Sequence, residues 1–164
     1  VLDNAQLKLL FICTHNRCRS IISEVVTRRI CDQSIDVKSA DSTPAGEVHP
    51  LTIHYLKKFG YHTDGIYSKG FADIPTFTPH LVVTLCDSAA NEPCPVYLKR
   101  ARKLHWGLTD PSRTTEDDNI IEAAFTSCFD EVTARAKAMK MILDEEKDIE
   151  TACSRIAKLT KADA

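Results

Sequence analysis

The sequence predicts an α/β fold, a doubly wound four-stranded parallel sheet flanked by helices, on three observations. Short apolar runs of strand length alternate with segments whose apolar residues recur at helical spacing. The run Leu81-Val82-Val83-Thr84-Leu85 shows no alternation, which fits a strand buried on both faces of a parallel sheet. Two of the runs end at a cysteine, Cys13 and Cys86, at the carboxyl edge where open parallel sheets bind their ligands.

The first strand is Lys8 to Cys13, followed by the polar loop Thr14-His15-Asn16-Arg17. From Cys18 to Cys31 the residues Ile21, Ile22, Val25, Val26 and Ile30 mark a helix. Ile35 to Ala40 alternates as a second strand, and Thr43-Pro44-Ala45-Gly46 breaks the chain. Pro50 suits the first turn of a helix running to Phe59, with Gly60 as its stop. After the third strand, Leu81–Leu85, the prolines around Cys94 make Asn91 to Pro95 a loop. Lys103 to Trp106 is the fourth strand, leading into Gly107-Leu108-Thr109-Asp110-Pro111-Ser112. Ile120 to Val132 marks a long helix continuing to Leu143. A polar, weakly amphipathic extension runs from about residue 144 through Ile149, Ala152, Cys153, Ile156 and Leu159.

At 164 residues and 18.3 kDa the chain is expected to form one domain over 1–164, with that extension at its end. A composition of 43% hydrophobic and 27% charged residues is that of a globular protein, not a disordered one. Lys plus Arg number 21 against 23 Asp plus Glu, so nothing electrostatic favours nucleic acid or an anionic membrane. No apolar run reaches the roughly 18 residues of a membrane span, and Val1 to Gln6 lacks the form of a signal peptide. Seven cysteines, an odd number in a chain with ample core, point to reduced thiols and the cytoplasm.

The segment Cys13-Thr14-His15-Asn16-Arg17-Cys18-Arg19-Ser20 is a cysteine, five residues, arginine and serine between a strand and a helix. An oxyanion site asks for these types at this spacing. Backbone N–H groups curl round a tetrahedral anion at the helix N-terminus, where positive partial charge collects. Arg19 can present a bidentate guanidinium. The same donors would stabilise a Cys13 thiolate, with Ser20 bonded to the sulfur. Lowering a thiol from about 8.5 to about 5 raises its thiolate fraction at pH 7 roughly 30-fold. The bland alternative is a buried cysteine beside a surface arginine. No metal site is expected, because the cysteine spacings are not those of zinc ligands and no His pair completes them. A nucleotide P-loop is absent too.

Cys13-x-x-Asn16-x-Cys18-Arg19-Ser20 resembles the signature of the low-molecular-weight tyrosine phosphatase superfamily and, within it, the thioredoxin-coupled arsenate reductases. His15 stands where the phosphatase branch usually has Gly, and Cys-x-His-Asn is similar to a reductase form. The resemblance spans Leu7 to Val132. It implies Cys13 as nucleophile, Arg19 as oxyanion binder, Asn16 and Ser20 as loop organisers, and Thr14 to Ser20 as the substrate loop. Asp110-Pro111, preceded by Trp106-Gly107, is similar to the pair that supplies the superfamily's acid/base.

A phosphocysteine is hydrolysed, whereas an arsenocysteine can be attacked by a second thiol that expels arsenite. Thr84-Leu85-Cys86-Asp87 with Cys94-Pro95 resembles that reductase arrangement. It implies a Cys13–Cys86 disulfide resolved by Cys94 as Cys86–Cys94. Residues eight apart in a helix lie roughly 12 Å apart, and a disulfide needs Cα atoms within about 7 Å, so any helix there must open. The alternative for Cys86 and Cys94 is two ordinary buried thiols; Cys31, Cys128 and Cys153 are read as such, and Cys18 as a steric or donor residue of the loop.

The resemblance also implies a remnant of an alkali-cation site at Asn16, Glu24, Ser39 and Lys69, with the Lys69 ammonium where the family's best-studied branch has an Asp. The expected function is reduction of arsenate to arsenite in arsenic detoxification, with phosphate or sulfate as substrate analogues and no bound cofactor. Thioredoxin is the expected reductant, with glutathione and glutaredoxin as the other route. The rivals are a tyrosine phosphatase, which would want aromatic residues at its cleft, and a non-catalytic oxyanion or redox sensor.

Overall fold

A computed structural model describes residues 1–92, 95–114 and 117–159. Cys94 therefore lies outside the described residues. Strand β1, Leu7–Ile12, leads through a tight turn at Thr14–Asn16 into helix α1, Arg19–Cys31. Strand β2 is Ile35–Ala40 and helix α2 Pro50–Lys58. Strand β3, Leu81–Thr84, is followed by the short helix α3, Asp87–Asn91, and strand β4 is Arg102–His105. Helix α4, Asp118–Glu145, and helix α5, Ile149–Ala157, complete the described chain.

The strands form one parallel sheet in the order β2-β1-β3-β4. Each crossover carries helix or irregular chain over the sheet, as parallel pairing requires. Residue chemistry matches position. The inner strand β3 is buried at all four residues, while the edge strands β2 and β4 carry the polar residues Asp36, Lys38, Arg102 and Lys103. Polar side chains on an edge also blunt its open ladder.

Helix α1 buries Ile21, Ile22 and Val26 and packs against α4. An aromatic cluster joins α2 to α4: Tyr55 stacks on Phe125 at 4.5 Å, and Phe59 meets Phe129 edge-on at 4.8 Å. Pro50 opens α2 behind His49, whose Nδ1 accepts from the Leu51 amide at 3.1 Å. Gly60, at φ 86°, supplies the left-handed stop expected of it.

Most expected boundaries hold within a residue or two. The difference lies at α3, where the chain expected to be loop from Asn91 keeps helical form through that residue. Cys86 begins this helix as its N-cap and accepts from the Ala89 amide, which gives a five-residue helix its start. The extension after 144 forms α5, which packs on α4 and β4 and buries Ala152, Cys153 and Ile156. No helix among the described residues is long and apolar enough to cross a membrane.

Candidate active site

The parallel register brings four strand ends level. Ile12 pairs with Ala40 and Thr84, and Thr84 pairs with His105. The residues that follow, Cys13, Asp41, Leu85-Cys86 and Trp106, thus meet at one edge. The Leu85 amide donates to Ile12 O at 2.9 Å, and the Leu108 amide to Leu85 O at 2.8 Å, which extends the alignment beyond the strands.

The loop after β1 turns through two left-handed residues, His15 at φ 68° and Asn16 at φ 46°. Non-glycine residues adopt this region rarely and need outside support. Asp41 gives it, with Oδ2 accepting from the His15 amide at 3.0 Å and from the amide and hydroxyl of Thr43 at 3.1 Å each. Ser68 donates to His15 O at 2.9 Å. Asn16, fully buried, accepts from the Lys69 amide at 2.7 Å and donates to Ser20 Oγ at 2.8 Å.

Cys13 is 1% exposed, with its sulfur 2.9 Å from Ser20 Oγ and accepting from the Ser20 amide at 3.2 Å. Burial pushes this thiol up from its ordinary value, against the downward pull of Ser20 and the Arg19 charge. That differs from the expectation of a lowered thiol, because desolvation outweighs these donors. Three amides of the loop have partners within the chain. The Thr14 amide donates to Cys86 Sγ, the His15 amide to Asp41 and the Asn16 amide to Cys13 O.

Cys86 stands beside this loop. Its sulfur accepts from the Thr14 amide at 3.3 Å and lies 3.1 Å from Thr14 Oγ1. Thr14 thus links the chain at Cys13 directly to the second thiol. Arg19 donates from Nη1 to Leu108 O at 3.1 Å, and its Nη2 lies 3.8 Å from Asp110 Oδ2. Asp110 caps the turn at Pro111–Arg113, accepting from the Ser112 amide at 2.9 Å and hydroxyl at 2.6 Å. Two thiols, a guanidinium and a carboxylate are therefore gathered at one edge from the chain that follows β1, β3 and β4.

Two adjoining cavities serve the thiols. One of about 300 Å³ is lined by Cys13, Thr14, His15, Arg17, Cys18 and Arg19, with His49, Asp110, Ser112 and Arg113 opposite. The other, of about 550 Å³, opens on Cys86 and shares Thr14, Arg19, Asp110 and Arg113 with the first. Neither has a Phe, Tyr or Trp among its described lining residues. Sequence reasoning missed Asp41, His49, Ser112 and Arg113. The Asp-x-Ser turn could have been read locally, but Asp41, His49 and Arg113 reach the site only through folding.

Arg17 is held through its carbonyl, which accepts from the His49 amide at 3.0 Å and the Thr52 hydroxyl at 3.2 Å. Cys18 is buried, and burial pushes its thiol up to about 12. Cys31, Cys128 and Cys153 are buried on α1, α4 and α5, and burial raises all three thiols as well. None of these last three lines either cavity. None of the six described cysteines is in a disulfide.

Behind the loop, Lys69 Nζ lies 3.4 Å from Glu24 Oε1 and donates to Tyr67 O at 3.0 Å. Ser39 donates to the same Glu24 oxygen at 3.2 Å, and Arg28 approaches Oε2 at 3.7 Å. Burial lowers the Lys69 ammonium from its ordinary value, and Glu24 opposes that shift. Glu24 thus meets the Lys69 ammonium and the Ser39 hydroxyl, while Asn16 meets the Lys69 backbone amide. Among the described residues no group of three or more His, Cys, Asp or Glu side chains is arranged as metal ligands would be.

Known proteins share this arrangement of sequence and fold. An arsenate reductase of Halalkalibacterium halodurans is 31% identical over 129 residues, covering 79% of this chain and 91% of its own. The structure of a thioredoxin-dependent arsenate reductase of Corynebacterium glutamicum superposes with a TM-score of 0.64 at 25% identity over 87% of this chain. This chain spans 64% of that protein's length. An arsenate reductase in a phosphate-binding state shares the fold, with a TM-score of 0.68 at 22% identity, covering 84% of this chain and 99% of its own. The family model for low-molecular-weight phosphotyrosine protein phosphatases matches residues 8–149, from the first strand to the start of α5. On that match, which covers most of the chain, the chain belongs to the low-molecular-weight phosphotyrosine protein phosphatase family.

Proposed function

We propose that this protein is an arsenate reductase that converts arsenate to arsenite through a cysteine adduct and an internal disulfide. The observation that carries the reading is the seat of Cys86, held against Thr14 at 3.1 and 3.3 Å, next to the nucleophile. A phosphatase, whose intermediate is released by water, has no use for a thiol in that place. Among the described residues neither cavity is lined by Phe, Tyr or Trp, which also disfavours a phosphotyrosine ring.

Arsenate enters the Cys13 cavity, where Arg19 turns toward its oxygens. The sulfur–arsenic bond forms as one arsenic–oxygen bond breaks, and that oxygen leaves as water with the thiol proton. Asp110, beside Arg19, is positioned to carry that proton. The Ser20 hydroxyl and amide and the Arg19 charge oppose the burial that favours the neutral Cys13 thiol. Cys86 then attacks Cys13 Sγ. A sulfur–sulfur bond forms, the sulfur–arsenic bond breaks, and arsenic keeps the bonding pair, so it is reduced by two electrons while two thiols are oxidised. The Cys86 proton passes to the departing arsenite. Cys94 would free Cys13 by taking Cys86 into a second disulfide, which a dithiol protein such as thioredoxin reduces. Glutathione with glutaredoxin is the other route to the same end. Thiols poised this way need a reducing compartment, and we place the reaction in the cytoplasm.

The Lys69 ammonium takes the part of a bound alkali ion behind the loop. It neutralises Glu24, and its own backbone amide fixes Asn16. The decisive experiment is arsenate-dependent oxidation of NADPH in the presence of thioredoxin and thioredoxin reductase. Oxidation that stops in Cys13→Ser and Cys86→Ser is expected. Hydrolysis of an aryl phosphate that survives in Cys86→Ser, with no arsenate reduction by the parent, would make the protein a phosphatase instead.

A further inference from the structure

His105, the last residue of β4, touches the ends of two other elements. Its Nδ1 lies 2.8 Å from Thr84 Oγ1 at the end of β3, and its Nε2 lies 3.2 Å from Asp87 Oδ1, the first residue of α3. Thr84 Oγ1 is itself tied to β4, donating to Leu104 O at 3.2 Å. The ring also lies against Gly107, where a Cβ would stand 3.5 Å from Nε2. Gly107 lines the Cys86 cavity three residues before Asp110.

We infer that His105 is a positioning residue for Cys86, pinning the first turn of α3 to the strand ends so that the second thiol faces the Cys13 adduct. The inference rests on the reading of Cys86 as the second thiol. Helix α3 has five residues, too few to hold itself together in water. Its start depends on the Cys86 sulfur accepting the Ala89 amide and on the seat of that sulfur against Thr14. Asp87 follows Cys86 directly, so a tie at Asp87 limits where the thiol can swing. The tie at Asp87 is an exposed pair and modest by itself, while the contact to Thr84 is partly shielded and fixes the ring. His105 is not among the described residues that line the Cys13 cavity, so it acts on presentation of the thiol and not on anion binding.

Two measurements test this. The first is alkylation of Cys86 by iodoacetamide in the reduced protein, followed peptide by peptide by mass spectrometry. His105→Ala should raise the Cys86 rate about three- to tenfold, and His105→Gln, which keeps a polar amide in place of the ring, should restore most of the protection. The second is the single-turnover rate of Cys13–Cys86 disulfide formation with arsenate in a Cys94→Ser background. His105→Ala should slow it by a similar factor, while the dissociation constant for inorganic phosphate, read by calorimetry, stays unchanged. An unchanged Cys86 alkylation rate in folded His105→Ala, or weakened phosphate binding that accounts for the slower turnover, overturns the inference. If the Cys94→Ser parent forms no Cys13–Cys86 disulfide, the relay is wrong, and the alkylation rates still decide whether His105 holds Cys86.

Discussion

Cys13 shows how opposing forces meet on one sulfur. Burial favours the neutral thiol, whereas the Ser20 hydroxyl and amide and the Arg19 charge favour the thiolate. Ser20 Oγ accepts from the Cys13 thiol and from Asn16, and the Ser20 amide donates back to the sulfur. Ser20→Ala removes a group that lowers the thiol, so its pKa should rise further. The pH profile of Cys13 alkylation should therefore move to higher pH. Reactivity at neutral pH should fall about tenfold each time the midpoint climbs by one on the pH scale. A profile that stays put would show that Ser20 serves only packing. Lys69 is the second case. Its ammonium and Glu24 are both buried, and removing one partner of such a pair leaves the other charge uncompensated. Lys69→Met should cost about 3 kcal/mol in urea unfolding, at the low end for a broken buried pair because Arg28 still reaches Glu24. With the ammonium in place, turnover in sodium, potassium and choline buffers of equal ionic strength should agree. Potassium activation of the unaltered protein would show that the ammonium does not substitute for the ion.

Among the elements, α3 and α5 are short for opposite reasons. Helix α3 is capped by the Cys86 thiol, which Thr14 holds from the loop after β1. A Cys86–Cys94 bond brings together residues eight apart, which an extended helix forbids, and α3 ending at Asn91 removes that obstacle in part. Cys94→Ser should accumulate a Cys13–Cys86 disulfide after one turnover with arsenate, seen in tryptic peptides. A Cys13–Cys94 bond in the unaltered protein would reverse the order of the two thiols. Helix α5 is instead a packing element. Asp148 caps it, accepting from the amide and hydroxyl of Thr151 at 2.9 Å each, and Arg155 ties it to Glu145 and Glu146 at the end of α4. Ile156 is fully buried, so Ile156→Ala should lower stability by about 2–5 kcal/mol while leaving the relay chemistry intact. A loss well under 1 kcal/mol would mark α5 as loosely docked.

At the scale of the molecule, the parallel sheet is a device for alignment. Strands that start together and run the same way end together, so the loops after β1, β3 and β4 deliver thiol, thiol and carboxylate to one edge. Helix α4 braces the last of these loops. Arg135 donates to Trp106 O at 2.7 Å with its guanidinium 5.2 Å from the indole ring, and that ring leans on Phe11 of β1. The whole assembly makes one discriminating prediction. Cys13→Ser should abolish arsenate reduction along with any hydrolysis of aryl phosphates, since both begin at the same sulfur. Cys86→Ser should abolish the reduction, measured as arsenite formed with thioredoxin present. Steady arsenite production by Cys86→Ser would remove the internal relay from the mechanism.

Much of this was legible in the residues because it is local. Apolar runs and helical spacing reveal the elements, and cysteine, arginine and serine at fixed distances between strand and helix reveal an anion loop. Asn16, Ser20, Glu24, Ser39 and Lys69 stand at motif positions, and they meet as neighbours. Folding alone decided the rest, because it depends on groups distant in sequence sharing a small volume. Asp41 supports the left-handed turn at His15 from 26 residues away, and Thr14 reaches Cys86 across 72. The protonation balance of Cys13 could not be read from its motif either. Which amides face the sulfur, and how thoroughly water is excluded, are properties of the packed site. A sequence records which chemical groups are present and their spacing along the chain. Desolvation and convergence are set by the three-dimensional surroundings, and in this protein they determine how Cys13 and Cys86 are held.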